Sequence, residues 1–464
     1  MSTHNLFKDF VKIAAEKFMS LDKSKPIRLI SHVDSDGITA VSILALILNK
    51  LKFKYSISII SQLDDKTLNS LNNENYNCYV FIDLGSGQLK SVVSILKNKK
   101  IFILDHHHSQ NTSINENIVH VNPTLFGIDG SKEISSSGVV YLFSKQLHEF
   151  SLKLSYLALI GAIGDQQYNN KFISFNEEIL NDAINSKKIK VEKGIRFFGI
   201  QTRPIHKLLE YCTDPYIPDV TGNSKGVIDF LNSLKIEYKS GNNYRKLNHL
   251  DEDEMKKLIK GIIKKRRYEK NPKDIFGDIF ILNSEDLNSP YRNLKEFSTI
   301  LNACGRLEKA SLGVAICMGS KKSKNEGVEL LKTYKQEILK SIRWYEKNKK
   351  SKYIIQKNSY IIINAQAFIN PNLIGTLASI ISYSSEAKSL DFIITMAQNV
   401  DSTTKISLRY SGKDKIDLRK LIKKIMVNIE GNYGGHKSAS GAIIQTEDEK
   451  KFIENVEQIL NNLK

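Results

Sequence analysis

The chain has 464 residues, enough for two or three domains with their own cores, and its 41% hydrophobic and 25% charged residues describe a globular protein, not a disordered one. Its net charge of +18, from 68 Lys and Arg against 50 Asp and Glu, favours polyanionic partners, nucleic acid first; an Ile/Asn/Lys-rich composition set by an AT-rich genome gives the same excess, so charge alone does not choose. The four cysteines, Cys78, Cys212, Cys304 and Cys317, lack CxxC spacing, which argues against a zinc ribbon or a disulfide framework and for a reducing, intracellular setting.

The opening segment, MSTHNLFKDFVKIAAEKFMSL, places apolar and charged residues at helical intervals and lacks the unbroken apolar core of a signal peptide. Residues 40–48, interrupted only by Ser42, are too short to cross a bilayer and read as a buried helix. A cytoplasmic, nucleoid-associated protein is expected. From there IRLISH, YSISII, CYVFID and KIFILD alternate with helical segments, the rhythm of βαβ units and a parallel sheet. Polar residues follow three of these strands: His32, Asp34 and Asp36 in SHVDSDG, Asp83 in FIDLGSG, and Asp105, His106 and His107 in ILDHHHSQ. A fourth apolar segment, LALIGAIGDQQ, ends at Asp165. Ligands bind beyond the carboxyl ends of parallel strands, so four loops at strand ends are expected to converge on one edge.

Residues 170–330 are mixed in pattern. DEDEMKKLIKGIIKKRRYEK is a helix, acidic at its start and basic at its end as the helix dipole favours, and GVELLKTYKQEILKSIRWYEKNKKSK is a long connector helix. The Lys264–Arg267 and Lys347–Lys352 runs read as solvated helix ends, able to steer single strands by counterion release only if they line a cleft. Trp344 reads as packing, not base stacking. Beyond the connector, YIIINA, LDFIITMAQN and KISLRYSG are strands, DLRKLIKKIMVNI a helix, and GNYGGHKSASG precedes a strand and a last helix. The fold class is α/β: an N-terminal parallel-sheet domain over 1–200, an intervening region over 201–325, the connector over 326–352 and a smaller α/β domain over 353–464.

Carboxylates and imidazoles without thiolates suit Mn²⁺ and similar divalent ions. If the first loop extends its strand, His32, Asp34 and Asp36 share one face. So many acids over-supply one ion, whereas two ions sharing a carboxylate use them all; paired ions generate hydroxide and neutralise phosphate charge. Gly37 permits a sharp turn into a helix whose N-terminus favours an anion. Taken singly these motifs are weak, since Asp-x-Asp-Gly is commonly a turn and an Asp after a strand commonly an N-cap. Their joint occurrence carries the metal reading. Gly434 and Gly435 allow close backbone approach beside His436, Lys437 and Ser438, an anion-binding surface in its own right. Arg306 and Arg409 are further phosphate-binding candidates, or interdomain salt-bridge residues.

HVDSDG, FIDLG, LDHHH and AIGDQ, followed by GGHKSASG, resemble the DHH phosphoesterase superfamily with its C-terminal DHH-associated domain, over residues 30 to 445. HVNPTLFG, SSSGVVYLF and STILNACGRLEKASLGVAICMG are similar to the RecJ exonucleases, and TRPIHKLLEYCTDPYIPDVTG resembles their archaeal branch, which includes a nuclease associated with the GINS complex. The resemblance implies two Mn²⁺, with Mg²⁺ or Co²⁺ as substitutes: His32 and Asp34 on one, Asp36, His106 and Asp165 on the other, Asp83 bridging. His107 and His436 would act on the scissile phosphate and Asp105 would orient its neighbours. The family writes Asp-His-His, so the third imidazole, His108, is expected on the surface. The implied active site lies in a cleft between the two α/β domains. The implied activity is a manganese-dependent exonuclease on single-stranded DNA, 5′ to 3′, in replication or repair. Alternatives are an RNA or short-oligonucleotide exonuclease, a cyclic-dinucleotide phosphodiesterase, or a scaffold bound to GINS and the MCM helicase.

Overall fold

A computed structural model of the chain describes residues 2–462 apart from 198, 201–202, 213–215, 270–271, 274, 383–389, 413–415, 436 and 438. The chain divides into two compact units, one of Met1–Ile205, Lys239–Met255 and Lys270–Leu331, the other of His206–Tyr238, Lys256–Glu269 and Lys332–Lys464.

The first unit begins with α1 (Thr3–Met19), β1 (Ile27–His32), α2 (Ser35–Leu51), β2 (Tyr55–Ile60), α3 (Asp65–Asn72), β3 (Cys78–Ile82), α4 (Leu89–Ile95), β4 (Lys100–Leu104) and β5 (Ile118–Val121). The five strands form one sheet in the order β2-β1-β3-β4-β5, every pairing parallel. Alternation along each strand divides the apolar residues between two faces. Tyr79 and Phe81 of β3, with Ile101 and Ile103 of β4, pack with Leu68 and Leu71 of α3 and Leu89 and Val92 of α4. On the opposite face Phe102 meets Phe18 of α1 at 5.1 Å between ring centroids, and Phe18 meets Phe143 at 5.5 Å. Parallel sheets are covered on both faces, so the continuous apolar strands of the sequence are accounted for.

The unit continues with α5 (Ser136–Leu147), α6 (Ser155–Gly164), α7 (Ser174–Asn185) and β6 (Ile189–Ile195). α2 is buried almost all round because it packs against β1, α5 and α6 together. Asp165 is the C-cap of α6 and does not follow a strand, contrary to the expectation of four strand-end loops. LALIGAIG is apolar all round, and periodicity cannot tell a short buried helix from a buried strand.

Next come α8 (Ile205–Glu210), α9 (Ser224–Ser233), the two-residue strands β7 (Lys239–Ser240) and β8 (Asn243–Tyr244), α10 (Glu252–Lys265), β9 (Phe276–Leu282), α11 (Leu294–Arg306), α12 (Ala310–Cys317) and the long α13 (Lys321–Asn348). β6 and β9 make a separate antiparallel pair.

The second unit is built on a six-stranded sheet of β10 (Ile354–Gln356), β11 (Tyr360–Asn364), β12 (Phe392–Gln398), β13 (Thr403–Tyr410), β14 (Gly431–Gly435) and β15 (Ala439–Gln445), in the order β10-β11-β12-β13-β15-β14. Only β11 and β12 run parallel. α14 (Ile374–Ser382) packs on β12 and β13. α15 (Leu418–Ile425) and α16 (Glu449–Asn461) share a core with alternate residues of the strands, among them Ile394, Met396, Ile406 and Leu408. GNYGG, expected as a glycine turn or an open anion-binding loop, is the exposed edge strand β14.

One close approach in the first unit fixes where the metal-loop candidates lie. α11 runs against the loop after β1: Ser35 N–H donates to Asn302 Oδ1 at 2.9 Å, and Ser298 Oγ bonds Ser35 Oγ at 3.1 Å. A Cβ on Gly305 would lie 1.8 Å from the Val33 carbonyl oxygen, so only glycine lets the helix come this near. Gly305→Ala is therefore expected to cost about 1–3 kcal/mol of unfolding free energy through overpacking. Urea titration of the two proteins measures it, and an unchanged midpoint would refute the tight contact.

Candidate metal centre

Strand register aligns three of the expected residues. Ile82 of β3 pairs with Ser31 of β1 and with Leu104 of β4, so the next residue on each strand, His32, Asp83 and Asp105, stands level along one sheet edge. Asp83 N–H donates to Leu104 O at 3.0 Å, and Asp83 has φ +61°, a left-handed conformation that costs a non-glycine residue free energy.

The Asp83 side chain is 1% exposed, and among the described residues neither carboxylate oxygen has a hydrogen-bond donor. Imidazoles surround it instead. His32 Nδ1 lies 3.4 Å away, His106 Nε2 3.5 Å and His107 Nδ1 3.8 Å. Two sets of donors, Asp83/His106/His107 and His32/Asp34/Asp83, each have ligand atoms within 4.8 Å of one another, and Asp83 is common to both. A buried carboxylate without hydrogen-bond donors, held between neutralisable imidazoles, fits a divalent cation.

The first loop does not extend its strand as expected. Asp34 is the N-cap of α2, with Oδ1 accepting Gly37 N–H at 3.0 Å, while its Oδ2 lies 3.0 Å from His32 Nδ1. Helix formation from Ser35 turns Asp36 away from a strand's alternation. Asp36 accepts the N–H groups of Ser136 and Ser137 at the start of α5, at 2.7 and 3.0 Å. A Cβ on Gly161 of α6 would lie 2.4 Å from Asp36 Oδ1, so this glycine leaves room for the carboxylate. Gly37 serves close approach more than a turn: its Cβ position is 2.4 Å from the His32 carbonyl oxygen.

His106 donates from Nδ1 to Gly130 O at 2.5 Å and directs Nε2 toward Asp83. That tautomer is the one a metal-binding histidine uses when its second nitrogen is held by a carbonyl. Asp165 Oδ2 lies 3.8 Å from His106 Nδ1, and Gln167 joins them by donating to both Asp165 Oδ2 and Gly130 O at 2.8 Å. Asn176 in turn donates to Gln167 Oε1 at 2.7 Å. Asp105, fully buried, accepts from Ser86 N–H, His106 N–H and His107 N–H, and from His107 Nδ1 at 2.7 Å. Asn122 donates to the His107 carbonyl at 2.8 Å and to Ser86 Oγ, which bonds His120 Nε2 at 2.8 Å. His108 is exposed.

Gln167, Ser136, Ser137, Asn122 and Asn302 are partners of the cluster that the sequence reading did not single out. Ser136, Ser137, Asn122 and Asn302 reach the cluster across long sequence separations, while Gln167 bonds both nearby Asp165 and distant Gly130. Arg306 is half-buried at the end of α11 and makes no hydrogen bond or ion pair among the described residues. In the other unit, Arg409 donates to Ser379 Oγ at 3.0 Å, to Ser407 Oγ at 2.9 Å and to Gly375 O at 3.3 Å, so its guanidinium ties β13 to α14. Gly434 and Gly435 lie in β14, and exposed Lys437 accepts Leu418 N–H at its carbonyl. His436 and Ser438 lie outside the described residues.

The electrostatics of this cluster are polarised. Burial, then the nearby Asp34 and Asp36 charges, push the Asp83 carboxyl up to about 7. Burial also lifts Asp165, opposed by His106 and reinforced by Asp36, to about 6. Burial acts against the charged form of Asp34 too, but the His32 charge prevails and holds it well below the carboxylate range. Burial likewise opposes ionisation of Asp105, which His107 overcomes. For His107 burial is outweighed by Asp105, Asp83 and Asp165, which raise it to about 10.

Three family models match in order: the DHH family N-terminal domain over residues 26–162, the DHH-CID domain over 197–275 and the DHHA1 domain over 357–462. The chain carries the domains of the DHH family: an N-terminal DHH domain, a DHH-CID domain and a DHHA1 domain. An uncharacterized protein of Methanocaldococcus jannaschii is 29% identical over 445 residues, 94% of this chain and 93% of that protein. Among solved structures, CDC45 from Entamoeba histolytica matches this DHH chain with TM-score 0.68 at 14% identity, over 96% of this chain and 98% of its own. RecJ from Thermus thermophilus in complex with Mn²⁺ matches at TM-score 0.60 and 16% identity, over 98% of this chain but 55% of that one. Exonuclease RecJ bound to manganese matches at TM-score 0.57 and 16% identity, over 98% of this chain and 95% of that one. At these identities the structural likeness is one of fold. The DHH domains and the acidic cluster together support use of a divalent metal. No helix among the described residues is long and apolar enough to cross a membrane.

Proton competition follows from the acid shifts. Asp83 and Asp165 bind protons more tightly folded than unfolded, so they weaken the metal-free fold as pH rises from the ordinary carboxylate range through about 6 to 7. A cation needs those acids deprotonated and the imidazoles neutral, and higher pH favours both. Mn²⁺ affinity is expected to rise from pH 6 to pH 8 with protons released on binding. Calorimetry in buffers of different ionisation enthalpy measures this, and a pH-independent affinity would contradict it.

Proposed function

We propose that this DHH protein is a divalent-metal-dependent phosphodiesterase acting on single-stranded nucleic acid: a manganese-using exonuclease of the RecJ type, 5′ to 3′ on DNA, serving replication or repair. The observation that carries the reading is Asp83, a buried carboxylate without hydrogen-bond donors among the described residues that belongs to two sets of ligand atoms at once. When bound, a pair of divalent ions supplies Lewis acidity toward a phosphate and acidifies water. His32 and Asp34 would hold one ion, Asp36, His106 and Asp165 the other, and Asp83 both. His107, oriented through Nδ1 by Asp105, would meet a phosphate oxygen as a hydrogen-bond donor. Arg306, unpaired among the described residues, would add a second cation; His436, Lys437 and Ser438 are phosphate-binding candidates by the family resemblance alone. The neighbouring RecJ is a manganese-bound exonuclease, and we carry that activity and that ion over to this chain.

A second reading is favoured by the CDC45 likeness, which spans 98% of that chain where the Thermus RecJ match spans 55%. Under it the protein binds GINS and the MCM helicase and contributes structure to the replication machinery, with or without cleavage.

End-labelled single-stranded DNA, single-stranded RNA and a cyclic dinucleotide, each with and without Mn²⁺, separate the enzymatic possibilities. Asp83→Ala is expected to lower cleavage by about 100-fold or more, since loss of mere outer-shell partners already costs about 10–100-fold. Substantial metal-dependent turnover in that variant would remove the proposal. His108→Ala should stay within about twofold, as exposed substitutions do. Co-purification of the Asp83→Ala protein with GINS would favour the second reading.

A further inference from the structure

Three aromatic rings meet where α13 ends and the second sheet begins. Trp344, in the last turn of α13, stacks on Phe368 with ring centroids 5.8 Å apart and planes 26° apart. Tyr353 meets Phe368 nearly edge-on at 5.5 Å and 72°, and lies 5.9 Å from Trp344. The backbone fixes them. Tyr353 directly precedes β10 and its carbonyl accepts Asn364 N–H at 2.8 Å, while Phe368 ends the short 3₁₀ turn that follows β11.

A packing cluster would bury its rings. Here Trp344 and Tyr353 are half-buried and Phe368 is 60% exposed, a flat phenyl backed by an indole. Beside the rings the sequence reads KNKKSK over 347–352, four lysines and no acid in six residues. Lys349 is engaged by Glu346 at 2.7 Å. Lys352 Nζ lies 5.6 Å from the Tyr353 ring centroid, and Lys347 is one turn on from Trp344 along the same helix side. Lys350 lies in the turn between them.

We propose that this face is a second binding site that takes single-stranded nucleic acid, with a base stacked on the open side of Phe368 and the flanking phosphates on Lys347, Lys350 and Lys352. Base–aromatic stacking tolerates any sequence, and a basic rim tracks the backbone. A duplex keeps its base faces inside its own stack, so the site selects unpaired strands. An apolar protein partner would use the ring but leave the lysines unmatched, which is why the charge decides for a polyanion with planar groups. The site shares no residue with the metal centre.

Trp344 is the single tryptophan of the chain, so its emission reports this site directly. Full-length protein in EDTA, where metal-dependent cleavage plays no part, is titrated with a 15-residue oligothymidylate. Saturable quenching of Trp344 is expected, with Lys350→Ala/Lys352→Ala shifting its midpoint at least about fivefold and flattening its salt dependence. Phe368→Ala, at an exposed position, should weaken binding of a fluorescein-labelled oligothymidylate about fivefold or more by anisotropy, the low end of one base stack, and Phe368→Tyr should restore it. Unchanged Trp344 emission, full affinity in Phe368→Ala, or equal quenching by inorganic polyphosphate or an acidic peptide would each overturn the proposal. Because no hydrolysis is read, failure here leaves the metal-centre proposal standing, and a dead nuclease would leave this one standing.

Discussion

The first unit is organised around a carboxylate that the fold places at a disadvantage. Asp83 follows the middle strand of a parallel sheet, so the loops after both neighbouring strands bring imidazoles to it from either side. Its near-complete burial and its lack of hydrogen bonds from described residues oppose ionisation, and its left-handed backbone adds a conformational cost. Such a group persists where the surrounding structure over-determines it. Here sheet register supplies that determination, since Ser31, Ile82 and Leu104 are paired partners and the next residue on each strand has little freedom. A divalent cation would turn the same burial from a penalty into a source of affinity, because low local dielectric strengthens its attraction to the acids.

Much of this arrangement was legible in the sequence because parallel strands leave a simple signature. Apolar runs ending in His32, Asp83 and Asp105 could be placed on one edge without any knowledge of register. The misreadings have equally plain causes. Asp165 follows a buried helix that is apolar on every side, and no periodicity distinguishes it from a buried strand. Asp36 could be counted as an alternate strand position until Asp34 is seen to cap α2, after which helical geometry carries Asp36 to the α5 N-terminus. Asn122 and Asn302 lay in the quoted HVNPTLFG and STILNACGRLEKASLGVAICMG segments, but what they do there was not legible, since a neutral amide earns its place only through partners that the fold brings from elsewhere.

In the second unit the strands and helices were legible but not what their polar residues do. Arg409 was a phosphate candidate from residue type alone, yet the alternation that buries Ile406 and Leu408 beneath α15 and α16 sends Ser407 and Arg409 to the α14 side, where Gly375 and Ser379 engage the guanidinium. Trp344 was read as packing, and it does pack; what the sequence could not reveal is that its partner Phe368, brought from beyond two strands, keeps most of its surface in water.

The brace formed by α11 has a consequence for how the protein is made. His32 through Asp165 leave the ribosome first, whereas Asn302 and Gly305, which hold the loop between β1 and α2, emerge much later. A nascent chain thus carries its acids and imidazoles before the contacts of the first loop with α11 can form. Until that helix is made, Ser35 lacks both of its partners on it, Asn302 and Ser298, although the sheet edge it flanks is already complete in sequence.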